Sequence, residues 1–208
     1  MSEWQELRSK QRIEMLACRK EISKNNRYCW SSAITATLKK GFPVLQRSAV
    51  GFYWPRCGEY DPRPAIKFFQ EKGAIIALPE IENKRELLRF RKWWPTAPMK
   101  VDIYGIPVPD KTELIAVDAI IIPMVGFDKQ GYRLGYGGGY FDRTLAVIKP
   151  PPLTIGVAFE ISRLNSIAPQ SHDIRVSFIV TEMGIYRVLM GSITLISNEE
   201  CAAENPLR

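Results

Sequence analysis

The sequence predicts an α/β protein: a single three-layer domain with a parallel or mixed sheet, a glycine-rich loop at a strand C-terminus, and an N-terminal helical hairpin packed alongside. Three observations predict it. Apolar runs without polar alternation, at 74–78 and 119–122, mark strands buried on both faces. Helix-forming blocks alternate with such runs along the chain, as βαβ connections require. A glycine-dense stretch, 126–139, lies between an Ile-rich strand and a helical block, where open α/β sheets place ligands.

Residues 3–40 contain no Gly or Pro and are rich in helix formers, so they read as helix, with Ser23 as an N-cap that splits them in two. Gly41-Phe42-Pro43 stops this segment. Ala49 to Trp54 reads as a strand closed by Pro55, and Arg63 to Lys72 as a helix ended by Gly73. Ala74–Leu78 is a buried strand, and Leu87–Trp94 a strand or hairpin arm. Asp118–Pro123 is a further buried strand, Tyr140–Ile148 a helix closed by three prolines, and Leu153–Phe159 and Ser177–Val180 two more strands. The expected domain spans 1–186, with 187–208 as a C-terminal tail.

Composition narrows the function. The 208 residues are 46% hydrophobic and 25% charged, as in folded globular chains. No apolar run approaches the ~20 residues that cross a bilayer, and the first residues lack the apolar core of a secretory signal. Four scattered cysteines without a Cys-x-x-Cys pair, and a single histidine, argue against a zinc site and for reduced, inert thiols in a cytoplasmic protein. The net charge of +7 is uneven: residues 1–40 hold nine Lys/Arg against four Glu. That bias suits an anionic partner or a solvated basic helix face.

The glycine loop carries the chemistry. Glycines let backbone N–H groups approach an anion, and the following helix N-terminus adds a favourable dipole. Arg133 could clamp a phosphate, and Asp142 could hold a Mg²⁺ that bridges phosphate oxygens. The loop is neither a Walker A sequence nor Gly-x-Gly-x-x-Gly, since Tyr140 stands where the last Gly would be. A tight strand-to-helix turn with no ligand fits the glycine spacing equally well.

The run Pro123-x-x-Gly126-Phe127-Asp128, then Gly131-x-Arg133-Leu134-Gly135-x-Gly137-x-Gly139-Tyr140-Phe141-Asp142-Arg143, resembles the signature of the 5-formyltetrahydrofolate cyclo-ligase (methenyltetrahydrofolate synthetase) family. Tyr53 to Asp61, Tyr104-Gly105-Ile106-Pro107-x-Pro109, His172-Asp173-Ile174 and Ile179-Val180-Thr181-Glu182 are similar to further family segments in the same order. The resemblance covers roughly residues 5 to 186. It implies that ATP and Mg²⁺ drive 5-formyltetrahydrofolate, with or without a polyglutamate tail, to 5,10-methenyltetrahydrofolate with release of ADP and phosphate. Arg133 and Asp142 are then the catalytic residues, with Asp142 on the metal. ATP would be bound by Arg8, Arg12, Arg133, Leu134, Gly135, Tyr136, Gly137, Gly138, Gly139, Tyr140 and Phe141.

Arg8, Arg12 and Arg19 lie within roughly 40° of one another on one helix face. Arg12 matches a family Arg that reaches the nucleotide, and Arg8 stands where the family usually has Lys. On the folate side, Trp54 and Tyr104 offer stacking faces, and Glu59 or Asp61 could accept hydrogen bonds from the pterin. Tyr53 reads as the end of a core strand, Trp93-Trp94 as packing or a pocket wall, and His172 as an ordinary hydrogen-bonded residue. One departure stands out: Ser177 occupies a position where the family usually has a second metal-holding Asp. It motivates an alternative, a nucleotide-binding or RNA-associated regulatory protein on the same fold. Membrane and nucleic acid are not expected as partners of the enzyme.

Overall fold

A computed structural model describes residues 2–84 and 86–204. Two helices open the chain, α1 (Glu3–Lys20) and α2 (Lys24–Gly41). They are separated where predicted: the Ser23 side chain accepts from the Asn26 N–H at 3.1 Å and caps α2. Then follow β1 (Ala49–Gly51), α3 (Arg63–Glu71), β2 (Ile75–Glu80), β3 (Arg89–Lys92), β4 (Met99–Val101) and β5 (Pro107–Pro109). The chain continues through β6 (Ala119–Pro123), β7 (Gly126–Asp128), β8 (Arg133–Leu134), α4 (Tyr140–Val147), β9 (Leu153–Val157) and β10 (Arg163–Leu164). It ends with β11 (Phe178–Thr181), β12 (Gly184–Leu189), β13 (Ser192–Ile196) and α5 (Asn198–Ala203).

Eight strands form the main sheet in the order β13-β12-β11-β9-β6-β1-β2-β3. The five central strands, β11-β9-β6-β1-β2, are parallel, and antiparallel β3 and β12 flank them. The sheet is therefore mixed. Alternation along each strand divides the core in two. Ile76, Leu78, Ile121, Ile155 and Val180 face one cluster with Ile34 and Leu38 of α2 and Ile66 and Phe69 of α3. Ala77, Ile120, Ile122 and Ile179 face the other, with Leu145 of α4 and Phe127. Helices on both faces of a parallel centre give three layers.

The two N-terminal helices part company. While α2 is one of the layer helices, α1 lies against the loops at the carboxyl ends of the strands. Its Arg19 donates to the carbonyls of Met124 and Val125, and Gln11 to that of Ser166. The basic face of α1 is thus turned inward: Arg8 and Arg19 are buried, so much of the N-terminal charge bias is not a solvated face.

Two expectations need correction. The strand expected over 49–54 pairs only over Ala49–Gly51, although Phe52 N–H still bonds the Ala77 carbonyl at 2.9 Å. Beyond it the chain leaves the sheet, and Tyr53, which is buried, anchors the departing loop through its hydroxyl to the Tyr60 carbonyl at 2.6 Å. The expected tail is also no appendage. Residues 184–196 form the hairpin β12–β13 that extends the main sheet, and α5 brings Cys201 into the core. Gly41 ends α2 against this hairpin: a Cβ there would lie 2.3 Å from Ile185 Cδ1. Ile185→Ala should therefore cost about 2–5 kcal/mol, the range for truncating a fully buried Ile, measured by urea unfolding.

At the opposite edge, the buried carboxylate of Glu80 gathers three cations. Arg91 Nε lies at 2.5 Å, Lys100 Nζ at 2.8 Å and Arg89 Nη2 at 3.3 Å. Lys100 belongs to β4, so Glu80 fastens the β4–β5 hairpin to the sheet edge.

Candidate active site

A cavity of about 570 Å³ opens at the carboxyl ends of the parallel strands. Tyr53 and Trp54 follow β1 into it, Pro79 and Ile81 come from the end of β2, and Pro123 closes β6. The other wall is the loop between β8 and α4. Gly137 and Gly139 hold φ of +97° and +64°, values that a side chain disfavours. A Cβ on Gly138 would sit 2.7 Å from the Tyr140 ring. Arg143 Nη1 fixes this turn by donating to the Gly138 carbonyl at 2.8 Å. The loop therefore presents bare backbone to the cavity, with the α4 N-terminus behind it.

The arginines divide by what they already hold. Arg12 donates only its Nε, to the Gly135 carbonyl at 2.7 Å, and its guanidinium carbon is 3.5 Å from where a Gly137 Cβ would be. Among the described residues its two terminal nitrogens donate to no partner, and partial burial and the nearby Arg8 charge lower its pKa. Arg8 reaches the cavity but is buried and engaged: Nε donates to the Ile167 carbonyl at 2.9 Å, Nη1 to Asp173 Oδ1 at 3.1 Å, and Nη2 to Asp173 and the Ala168 carbonyl. Burial presses the Asp173 carboxyl upward, but the Arg8 contacts outweigh it and hold the pKa below the usual range. This geometry gives Arg8 a framework position that the helix-face reading did not distinguish from that of Arg12.

Arg133, expected in the glycine-rich loop, is 7% exposed and sits in β8. Its Nη1 donates to the Ile174 carbonyl at 2.7 Å, and Nη2 lies 2.8 Å from Asp142 Oδ1. Burial lowers its pKa, and the Asp142 charge works against that. Arg133→Ala should consequently cost roughly 2–3 kcal/mol, because it strands a half-shielded Asp142; thermal melting checks this. Asp142 Oδ1 also accepts from the Ile174 N–H at 3.1 Å, while Oδ2 accepts no hydrogen bond among the described residues.

The facing wall is aromatic and acidic. Trp54 is half-buried between Trp93, edge-on at 6.5 Å, and the Arg63 guanidinium, 5.1 Å from its ring. Tyr104 meets Tyr140 hydroxyl to hydroxyl at 2.5 Å, so the tip of the β4–β5 hairpin touches the start of α4. Glu59 accepts from Tyr136 Oη at 2.7 Å and from the Arg56 N–H at 2.8 Å. Burial raises the Glu59 pKa, against the pull of these two hydrogen bonds.

Of the catalytic, ATP-binding, metal and folate residues expected from the sequence, all but Asp61 line this one cavity. Asp61 is tied to Arg63 at 2.7 Å instead, which leaves Glu59 as the carboxylate of that loop in the cavity. Ser177 also lies elsewhere. It bonds Thr154, with hydroxyls 3.1 Å apart, at the amino ends of β9 and β11. Among the described residues the carboxylates that line the cavity are Glu59, Asp102, Asp142 and Asp173, and position 177 is not there. Sequence reasoning missed Trp4, whose ring carries Arg8 at 5.0 Å and His172 at 6.1 Å; its i, i+4 spacing to Arg8 was the available signal.

A three-layer α/β domain with a cavity at its strand ends, walled by a glycine loop and Arg12 on one side and by aromatic and acidic residues on the other, is built as an enzyme. The chain belongs to the 5-formyltetrahydrofolate cyclo-ligase family, whose sequence profile matches residues 3–182. It is 28% identical over 140 residues to the 5-formyltetrahydrofolate cyclo-ligase of Haemophilus influenzae, covering 63% of this chain and 75% of that one. It is 36% identical over 138 residues to the mouse enzyme of the same name, covering 60% and 68%. The solved 5,10-methenyltetrahydrofolate synthetase of Aquifex aeolicus is similar in fold, with a TM-score of 0.77 and 30% identity across 91% of this chain and 96% of that one. The Mycoplasma pneumoniae synthetase shares the fold, with a TM-score of 0.69 at 20% identity over 84% and 98%.

Proposed function

We propose that this protein converts 5-formyltetrahydrofolate to 5,10-methenyltetrahydrofolate in the cytoplasm, using ATP and releasing ADP and phosphate. The observation that carries the reading is the arrangement of one cavity. Arg12 and the glycine loop form an anion half, and Trp54, Glu59 and Tyr104 form a half suited to a pterin. The formyl oxygen attacks the γ-phosphorus and ADP departs. N10 then adds to the activated formyl carbon, the C–O bond breaks, and phosphate leaves as N10 gives up its proton. Both steps ask the protein chiefly for positioning and charge stabilisation.

Arg12 holds the phosphates with its two free terminal nitrogens, and the loop N–H groups receive the oxygens. Arg133 orients Asp142 from beneath. No group of three or more His, Cys, Asp or Glu side chains comes together among the described residues. A single carboxylate with a spare oxygen still fits Mg²⁺, which keeps water and takes phosphate oxygens. Asp142 is the residue that would hold it, and the ion would supply neutralisation of phosphate charge. Glu59 accepts two pterin N–H groups, and Trp54 and Tyr104 flank the ring.

The assay is direct: protein, ATP, Mg²⁺ and 5-formyltetrahydrofolate, followed by methenyl absorbance. ADP should form only when the folate is present. Equal ADP release with and without folate, or no methenyl product, overturns the reading. The pH dependence adds a further prediction. Glu59 must be ionised to accept both N–H groups, and burial raises its pKa. The folate KM should therefore rise as pH falls, beginning above the ordinary carboxylate range. That limb should be flattened in Glu59→Gln.

A further inference from the structure

Both oxygens of Glu59 are occupied before any ligand enters. Oε2 accepts from the Arg56 N–H, and Oε1 from the Tyr136 hydroxyl at 2.7 Å. Arg56 belongs to the same short loop, but Tyr136 belongs to the glycine loop across the cavity. Its hydroxyl also accepts from Arg19 Nη1 at 3.4 Å, and the Arg56 guanidinium lies 5.4 Å from its ring. Burial and the Glu59 charge push the phenol pKa up, so it remains a donor throughout the working range. A pterin presents an amino group and a ring N–H side by side. A pterin held by both carboxylate oxygens competes with Tyr136 for Oε1.

What holds Tyr136 is itself part of the anion half. The residue before it, Gly135, offers its carbonyl to Arg12 Nε at 2.7 Å. The residue after it, Gly137, has φ +97°, and a Cβ there would lie 3.5 Å from the Arg12 guanidinium carbon. Tyr136 is therefore flanked by the two positions that Arg12 touches. A triphosphate on the terminal nitrogens of Arg12 would compete with the Gly135 carbonyl for the guanidinium and so loosen the peptide that carries Tyr136.

We propose that Tyr136 is a positioning residue that acts as a clasp between the two half-sites: it blocks Glu59 in the free protein and yields when nucleotide is bound, so ATP and folate bind cooperatively. This rests on the reading of the cavity given above. Linkage requires the coupling to be reciprocal, each ligand tightening the other by the same factor. One hydrogen bond to a charged acceptor sets the scale at about ten- to a hundredfold.

Calorimetric titration of 5-formyltetrahydrofolate, with and without a non-transferable ATP analogue, tests it. For the wild type, the analogue should tighten folate binding by about ten- to a hundredfold. Tyr136→Phe keeps the ring over Arg56 and removes only the hydroxyl. It should bind folate without nucleotide as tightly as wild type does with it, and the analogue should then add nothing. Glu59→Gln, which still offers Tyr136 an acceptor, should lose folate affinity in both states. Tyr136→Phe with wild-type affinities and an intact coupling factor overturns the clasp, as does wild-type folate binding by Glu59→Gln. A wild type that turns over normally but shows no coupling overturns the clasp alone. A wild type that neither binds the folate nor forms methenyl product overturns the functional reading itself.

Discussion

Arg12→Ala is expected to weaken ATP binding by about a hundredfold while leaving the fold nearly intact. Arg12 makes one hydrogen bond to the protein, to the Gly135 carbonyl, and holds two terminal nitrogens free toward the glycine loop. Each charge-assisted bond to a phosphate is worth about 1.5–3 kcal/mol, so losing two in a partly buried site amounts to about 3 kcal/mol, or two orders of magnitude in Kd. The protein side loses little, because the freed carbonyl lies beside an open cavity that water reaches. Calorimetric titration with ATP and a thermal melt on the same variant separate these effects. An unchanged ATP affinity removes Arg12 from the phosphate site. The contrast with Arg8 is instructive. Arg8 sits four residues earlier on the same face, but its donors serve Asp173 and two carbonyls of the 167–173 segment. The same residue type at one helical turn's spacing thus has a different physical task.

Asp142→Asn should lower turnover by roughly a hundredfold or more, the scale for removing one charged group from a phosphoryl-transfer site. Asn is nearly isosteric and can still accept the Ile174 N–H, but it offers a hard cation no charged oxygen. It also leaves the buried Arg133 cation without its counter-charge. A modest fall in melting temperature should therefore accompany the loss of rate. A helix-capping role would leave Asn almost as good as Asp. The structure argues against that role: the α4 N-cap is Gly139, and Asp142, three residues on, bonds Arg133 and Ile174 instead. Rate against Mg²⁺ concentration, measured on folded variant, decides the matter. Near-normal turnover at ordinary Mg²⁺ takes Asp142 out of the mechanism.

What could be read from the sequence was whatever is local. The run Ala119–Pro123 is buried on both faces and announces its strand, and Ser23 marks the helix break because a cap is a contact over three residues. The glycine loop was legible as a site because chain order places it after a buried strand. Burial of the arginines was not legible. The partner of Arg8 lies 165 residues away and that of Tyr136 77 residues away, and no periodicity encodes such distances. Asp61 and Glu59 looked equivalent, two residues apart, until Arg63 claimed one of them. The C-terminal hairpin was legible in principle. Met190 and Gly191 both adopt positive φ between paired Leu189 and Ser192, a two-residue turn of the primed kind, but a Met in the first turn position hides that signal.

The three cations on Glu80 make the β4–β5 hairpin a separately releasable wall of the site. Burial opposes ionisation of Glu80, but Lys100 and Arg91 outweigh it and hold the carboxyl below its ordinary range. A depressed carboxyl stabilises the folded state above its unfolded pKa, and that contribution fades as pH falls through the folded value. Once Glu80 is protonated, Arg91, Lys100 and Arg89 lose their shared counter-charge, Arg89 keeping Glu82 at 2.6 Å and Lys100 only the more distant Asp110 at 3.9 Å, while the eight-stranded sheet keeps its apolar core. Acid would thus undock the hairpin, and Tyr104 with it, in a sub-global opening. Amide exchange would register this at 99–109 ahead of the central strands, and the enzyme would lose its grip on folate before it loses its shape.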